Sequence, residues 1–284
     1  MYLQYTSPKC IDKLAMKIDR ALLEEYMNTF YGYGNLKGKY WFIGMEEGGG
    51  NSIEEIISRL DIWKNAGKPT LLDNYEFHSS IRGAGDSTFD RFFKGDKSTY
   101  QKTWGGLIKL LLCYKGENEL NLKDIKCYQS DELGRHDSEN CLIELFPLPS
   151  PGITAFNYSK WTDIEYLKSR ETYKQQLAEI RVQKLKTLIS THKPELVVFY
   201  SFSNDYIKSW SEISGINFES IRMESLDLNA NTGAKIAFSG MTCFTVIYHP
   251  TYRGIGNNYY RNIGSLLKKY KQEQENVFNQ SGLK

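Results

Sequence analysis

Four short runs of nearly unbroken apolar residues punctuate this chain, and between them the apolar positions recur three and four apart. The runs cover residues 40–44, 140–146, 195–200 and 242–248. Each is long enough for a strand and too short for a helix. Almost no polar residue interrupts them, which predicts strands covered on both faces. The intervening segments read as helices. One starts at Ser7-Pro8 and carries Ile11, Leu14, Ile18 and Leu22 on one side. A second, with Asn51 as its cap, carries Ile53, Ile56, Ile57, Leu60 and Trp63. Others are expected at 99–114, around Leu107, Leu110 and Leu111, and at 161–191, 203–211 and 256–273. Pro147, Pro149 and Pro151 are expected to stop the second strand.

Strands alternating with helices predict parallel pairing through right-handed crossovers. The expected fold is a three-layer α/β/α sandwich around a central, four-stranded, mainly parallel sheet, forming a single domain over residues 1–284. Residues 66–96 are polar, glycine-bearing and irregular, and read as an inserted, lid-like segment. About a hundred residues separate the first two strands, more than a plain crossover requires.

Composition narrows the chemistry. The net charge of +2 is too small for binding to nucleic acid by bulk charge, so any such contact must be local. Aromatic residues make up 14% of the chain, which suits base stacking as well as a core. Cys10, Cys113, Cys127, Cys141 and Cys243 form no Cys-x-x-Cys pair, which argues against zinc ribbons, redox dithiols and most iron–sulfur sites. Free thiols in a reducing cytoplasm are the simpler reading, and no apolar run approaches a membrane span. Nothing in the sequence calls for a metal or another cofactor. Lys160, Lys168, Arg170, Lys174, Arg181, Lys184 and Lys186 interleave with Glu165, Glu171 and Glu179 and read largely as a solvated helix face.

The candidate chemistry lies where two strands end. The first runs into Gly44-Met45-Glu46-Glu47-Gly48-Gly49-Gly50, and the last into His249-Pro250-Thr251-Tyr252-Arg253-Gly254. Ligands of open parallel sheets bind outside the carboxyl ends of the strands, so both motifs should face one cleft. The glycine-rich turn lacks a Lys-Ser/Thr and the Gly-x-Gly-x-x-Gly spacing, and its glutamates repel phosphate. What it offers is a carboxylate beside backbone that a ligand can approach closely. Pro250 keeps His249 out of a helical conformation.

Taken in order, these motifs resemble the uracil-DNA glycosylase superfamily over most of the chain. The Gly44–Gly48 loop stands where the family has its catalytic loop, and Cys141–Glu144 with Pro147 stands where it reads the base. Lys193-Pro194 precedes the third strand, and His249-Pro250-Thr251 resembles the family's His-Pro-Ser. The resemblance implies a monofunctional DNA glycosylase that hydrolyses the N-glycosidic bond of a base flipped out of DNA, expected to be double-stranded. Glu46 would activate water and offset charge on the sugar, with Glu47 as the rival carboxylate. His249 would donate to the departing base. Gly44, Met45, Glu144 and Phe146 would line the base pocket. Arg82, Ser150, Thr251, Tyr252, Arg253 and Ile255 would contact DNA, the last three residues including the wedge that fills the vacated stack.

The chain also departs from the family. Glu47 replaces an expected proline, and Glu144 stands where an asparagine would pair with uracil. An ionised carboxylate only accepts hydrogen bonds, so Glu144 suits the amino group of cytosine, or else it is a buried partner for an arginine. With the long insertion, this points to a modified cytosine, and the resemblance admits a role in antiviral defence. Repair of uracil or another deaminated base is the alternative enzyme, and a non-catalytic DNA-binding module is the alternative of another class. Neither motif contains a lysine, so no Schiff-base chemistry is expected from them.

Overall fold

The computed structural model describes residues 17–83, 89–117, 119–225 and 232–280. Its strands are β1 (Gly32–Gly34), β2 (Tyr40–Gly48), β3 (Leu71–Leu72), β4 (Asn140–Ser150), β5 (Leu196–Phe199), β6 (Glu224–Ser225), β7 (Gly233–Ser239) and β8 (Thr242–Val246). They join in the order β3-β1-β4-β2-β5-β8-β7-β6. The four expected strands lie side by side at the centre, β4-β2-β5-β8, and all pair in parallel. The sheet is wider than the four strands expected, and it is mixed. β1 adds to β4 and β7 to β8 in antiparallel fashion, and β3 and β6 follow outside them.

The long helices are α1 (Arg20–Thr29), α2 (Ile53–Asn65), α4 (Lys102–Lys115), α5 (Leu122–Asp131), α6 (Arg170–His192), α7 (Asn204–Ser214) and α8 (Asn257–Gln280), with a short α3 at Asn74–Ser80. Neighbouring residues of β2 show the two faces of the sheet. Trp41 packs its ring on His192 of α6, while Tyr40 packs on Tyr114 of α4. Accordingly Trp41, Phe42, Ile43, Val197, Val198 and Phe199 are wholly buried. This is the burial that the unbroken apolar runs predict.

Several local expectations are corrected. Ser52, not Asn51, caps α2, its Oγ accepting from the N–H of Glu55 at 3.1 Å. The prolines do not stop β4, which continues to Ser150. Pro147 and Pro149 fall where the pairing of β4 with β2 shifts register, so their missing N–H groups cost little there. The N–H of Leu148, between them, donates to the hydroxyl of Tyr173 at 3.0 Å. The pairing of β2 with β4 shifts register between Glu46 and Gly48, where β4 carries the extra residues. The charged stretch after 161 holds one short 3₁₀ turn, Glu165–Leu167, and becomes α-helical only at Arg170. Ile11 and Leu14 of the expected first helix lie outside the described residues, as does Cys10, and α1 starts at Arg20.

Within the segment expected as a lid, residues 84–88 lie outside the described residues. Asn74, Phe77 and His78 of α3 are buried in the body of the protein. Among the described residues no helix is long and apolar enough to cross a membrane.

Candidate active site

The carboxyl end of β2 presents two adjacent glutamates in different directions. Glu46 turns toward α6 and forms an ion pair with Arg170. Arg170 also bonds Ser150 Oγ and the carbonyls of Gly152 (2.7 Å) and Ala155 (2.6 Å), so it clamps the loop after β4 to the catalytic-loop candidate. Glu46 Oε2 is buried and has no hydrogen-bond partner in the protein.

Glu47 turns toward α2, α3 and β1. Its carboxylate accepts from Tyr33 Oη at 2.6 Å, from Arg59 at 3.1 Å and from His78 Nε2 at 2.8 Å. Burial opposes its charge, but Arg59 and His78 outweigh this and hold its pKa down to about 2. The other His78 nitrogen, Nδ1, lies 2.8 Å from the Asn74 carbonyl. Both ring nitrogens thus face oxygen atoms. Arg59 also bonds Glu55, whose carboxylate receives the N–H groups of Gly50 and Asn51 at 3.0 Å each. Gly50 has a positive φ of 69°, and a Cβ there would lie 2.6 Å from the Pro149 carbonyl. The turn can therefore close against β4 only with glycine.

Both glutamates line one cleft of about 460 Å³, with Met45, Gly48 and Ser150. The opposite wall is Arg170 and Lys174 of α6, Ser201 from the stretch between β5 and α7, and Asp205 and Tyr206 of α7 itself. A second cleft of about 560 Å³ adjoins it, sharing Arg170, Lys174, Asp205 and Tyr206 and reaching Phe146. Phe146 itself is buried against Tyr173.

Glu144 lies behind this cleft rather than in its lining. Its Oε1 accepts from Tyr200 Oη at 3.0 Å, and its Oε2 is buried without a partner. Arg181 donates to the Glu144 backbone carbonyl at 2.8 Å, so the carboxyl has no arginine bound to it. Burial above all, and then the charge of Glu47, push its pKa up to about 8. Both effects favour the protonated carboxyl, which can also donate, over the acceptor-only carboxylate expected. Gly44 makes this arrangement possible. A Cβ there would stand 2.0 Å from Tyr200 Oη and 2.6 Å from Glu144 Oε2.

His249 leaves β8 in a turn closed by the Tyr252 N–H on the His249 carbonyl at 2.7 Å, with Pro250 in its favoured second position. The Thr251 N–H (3.3 Å) and hydroxyl (2.8 Å) both approach Nδ1, which leaves the ring hydrogen on Nε2. Burial lowers the His249 pKa and so favours the neutral ring. The imidazole lies outside the lining of the cleft, across the Tyr200 ring at 5.8 Å between centroids.

The remaining DNA-contact candidates are scattered. Thr251, Tyr252 and Arg253 are exposed beside His249, and Ile255 packs on the core. Tyr252 is 51% exposed and its ring lies 4.6 Å from that of Tyr248. Ser150 is internal to its loop, bonded to Gly152, Ala155 and Arg170. Arg82 is exposed at the end of α3, donating to the carbonyls of Ser79 and Ile81, and does not line the cleft.

The sequence reading missed Arg170 and Lys174, which belong to the cleft and not to a solvated face. It also missed Arg181, which is fully buried. Lys160, Lys168, Lys184 and Lys186 of the same run are exposed as expected. Among the described residues no group of three or more histidine, cysteine, aspartate or glutamate side chains has a metal-binding arrangement. No protein-family model matches this chain, and no curated protein shows significant similarity to it.

Proposed function

We propose that this protein is a DNA glycosylase that hydrolyses the N-glycosidic bond of a base flipped out of DNA and leaves an abasic site. The observation that carries the reading is the pair Glu46 and Glu47, presented together in one cleft at the carboxyl end of a central parallel strand. Their surroundings suit two different tasks. Glu47 is a permanent anion whose oxygens are already held by Tyr33, Arg59 and His78, so it offsets charge developing on the sugar. Glu46 keeps Oε2 unpartnered, which suits the orientation of the attacking water. His249 follows β8 of the same parallel core and lies across Tyr200 from this cleft, so its Nε2–H serves a departing anionic base only where that base reaches past Tyr200.

The base remains open between two readings. A neutral Glu144 carboxyl donates through one oxygen and accepts through the other, but it stands behind the cleft on Tyr200, so it meets the pairing edge of a cytosine or a uracil only when Tyr200 swings aside. The adjoining cleft leaves room for a substituent, which favours a modified cytosine and a role in antiviral defence. The raised pKa of Glu144 favours uracil as the second reading, since it removes the bias toward an amino group.

The test is base release. Duplexes containing uracil, cytosine, or hydroxymethylated or glucosylated cytosine are incubated with the protein, and freed bases are identified by mass spectrometry. Release of one base is expected, slowed about 100- to 1,000-fold by Glu46→Gln, the scale of one lost transition-state contact. Duplex binding without release of any base supports the non-catalytic DNA-binding module instead.

A further inference from the structure

Lys174 sits one helical turn beyond Arg170 on α6 and lines both clefts. Its stem is half-buried, and its ammonium lies 4.9 Å from the centroid of the Tyr206 ring and 5.6 Å from that of Phe146. Its Nζ bonds the Tyr206 hydroxyl. Arg170 takes the cleft's Glu46, and among the described residues no carboxylate lies within ion-pairing distance of Lys174. The groups facing Lys174 are therefore the Tyr206 phenol, the Phe146 ring, the like charge of Arg170 and, more distantly, Asp205. Burial first and Arg170 second lower its pKa, against a smaller opposing effect of Asp205. Such surroundings distinguish a nucleophilic amine from a solvated lysine.

We propose that Lys174 captures the abasic product as a Schiff base and cleaves the strand on its 3′ side by β-elimination, an inference that rests on the glycosylase reading of this cleft. The Nζ lone pair forms a bond to C1′ of the ring-opened aldehyde. The carbonyl oxygen then leaves as water on protonation, giving an iminium ion. Glu46, in the same cleft and with Oε2 unpartnered, accepts a C2′ proton. The C2′–H electron pair becomes the C2′=C3′ double bond, and the 3′-phosphate departs with the electrons of the C3′–O bond. Water finally hydrolyses the imine and restores the free amine. No oxidant, reductant or metal enters the balance. The lysine comes from α6 and not from either strand-end motif, which is why the motifs alone point only to hydrolysis.

The test bypasses base choice by supplying a duplex whose abasic site is already formed. Borohydride reduces an iminium ion to a stable amine, so the full-length protein should yield a covalent protein–DNA adduct. Peptide mass mapping should place that adduct on Lys174. Lys174→Arg, which keeps the charge, should lower the yield at least tenfold, with a melting temperature close to the parent's confirming the fold. Absence of an adduct, attachment at another lysine, or an undiminished yield from Lys174→Arg would overturn the proposal. An adduct on Lys174 together with silence in the base-release panel would uphold the amine and reject the glycosylase reading, so the two failures are separable.

Discussion

Glu47 and Glu144 occupy neighbouring strands of one parallel core, and their environments drive them in opposite directions. Glu47 is held by a phenol, a guanidinium and an imidazole, and its pKa falls to about 2. Glu144 has a single phenol, an unpartnered oxygen and the repulsion of Glu47, and its pKa rises to about 8. Burial penalises both charges. What differs is the number of donors and cations supplied, and that decides which carboxyl remains ionised. Two glutamates within one fold thereby become a fixed anion and a proton carrier.

The comparison is broken most severely by removing the cation on the Glu47 side. Arg59→Leu should destabilise the protein by about 3–5 kcal/mol, because Glu47 and Glu55 would remain buried without it. Denaturant titration measures this, and a loss below ~1 kcal/mol would mean that His78 and Tyr33 suffice.

The pH dependence of stability sharpens the contrast, since the two groups contribute with opposite sign. The folded pKa of Glu47 is depressed below its ordinary 4.5, so its contribution is present above that value and is lost as pH falls toward 2. The folded pKa of Glu144 is raised, so the folded state holds a proton that the unfolded state has released between pH 4.5 and 8. Its contribution is therefore full below pH 4.5 and is lost as pH rises toward 8. Glu144→Gln should flatten the decline between pH 4.5 and 8 and leave the acid limb unchanged. An unaltered slope in urea titrations across that window would show that Glu144 is ionised in the folded protein.

Smaller effects probe the Glu144 side alone. Gly44→Ala would drive a methyl into Tyr200 and Glu144, at a cost of roughly 1–3 kcal/mol, unless β2 and β5 part. A neutral result in thermal melts would mean that Tyr200 moves freely. Tyr200→Phe should cost about 1 kcal/mol, the worth of one hydrogen bond, and raise the Glu144 pKa further, since that bond favours the ionised form. Carboxyl titration by NMR checks the second part.

The central strands were legible in the sequence because burial on both faces leaves almost no polar residue in them. The edges were not. β1 is Gly-Tyr-Gly and β3 only Leu-Leu, too short to show a period, and their pairing is decided by what lies beside them. β4 was cut short because its prolines read as a stop, while they fall in the stretch where its register with β2 shifts and no regular ladder needs their N–H groups. The strand-end motifs located Glu46 and Glu47, but their division of labour depends on Arg59, His78 and Arg170. Arg170, Lys174 and Arg181 hide within an evenly charged helix, where sequence alone gives no phase by which to tell a cleft face from a solvated one. His78 lies in a polar segment whose buried helix is only seven residues long.

Arg181 has a consequence for how the chain is made. Buried without a carboxylate, it donates to the carbonyls of Met27 (2.8 Å) and Phe30 (2.9 Å) at the end of α1, and to those of Glu144 and Leu145 in β4. The first two bonds span 154 and 151 residues of sequence. The carboxyl end of α1 therefore leaves the ribosome long before the guanidinium that replaces its water. The first described helix to be synthesised is among the last to be sealed, and a nascent chain ending short of α6 holds it only loosely.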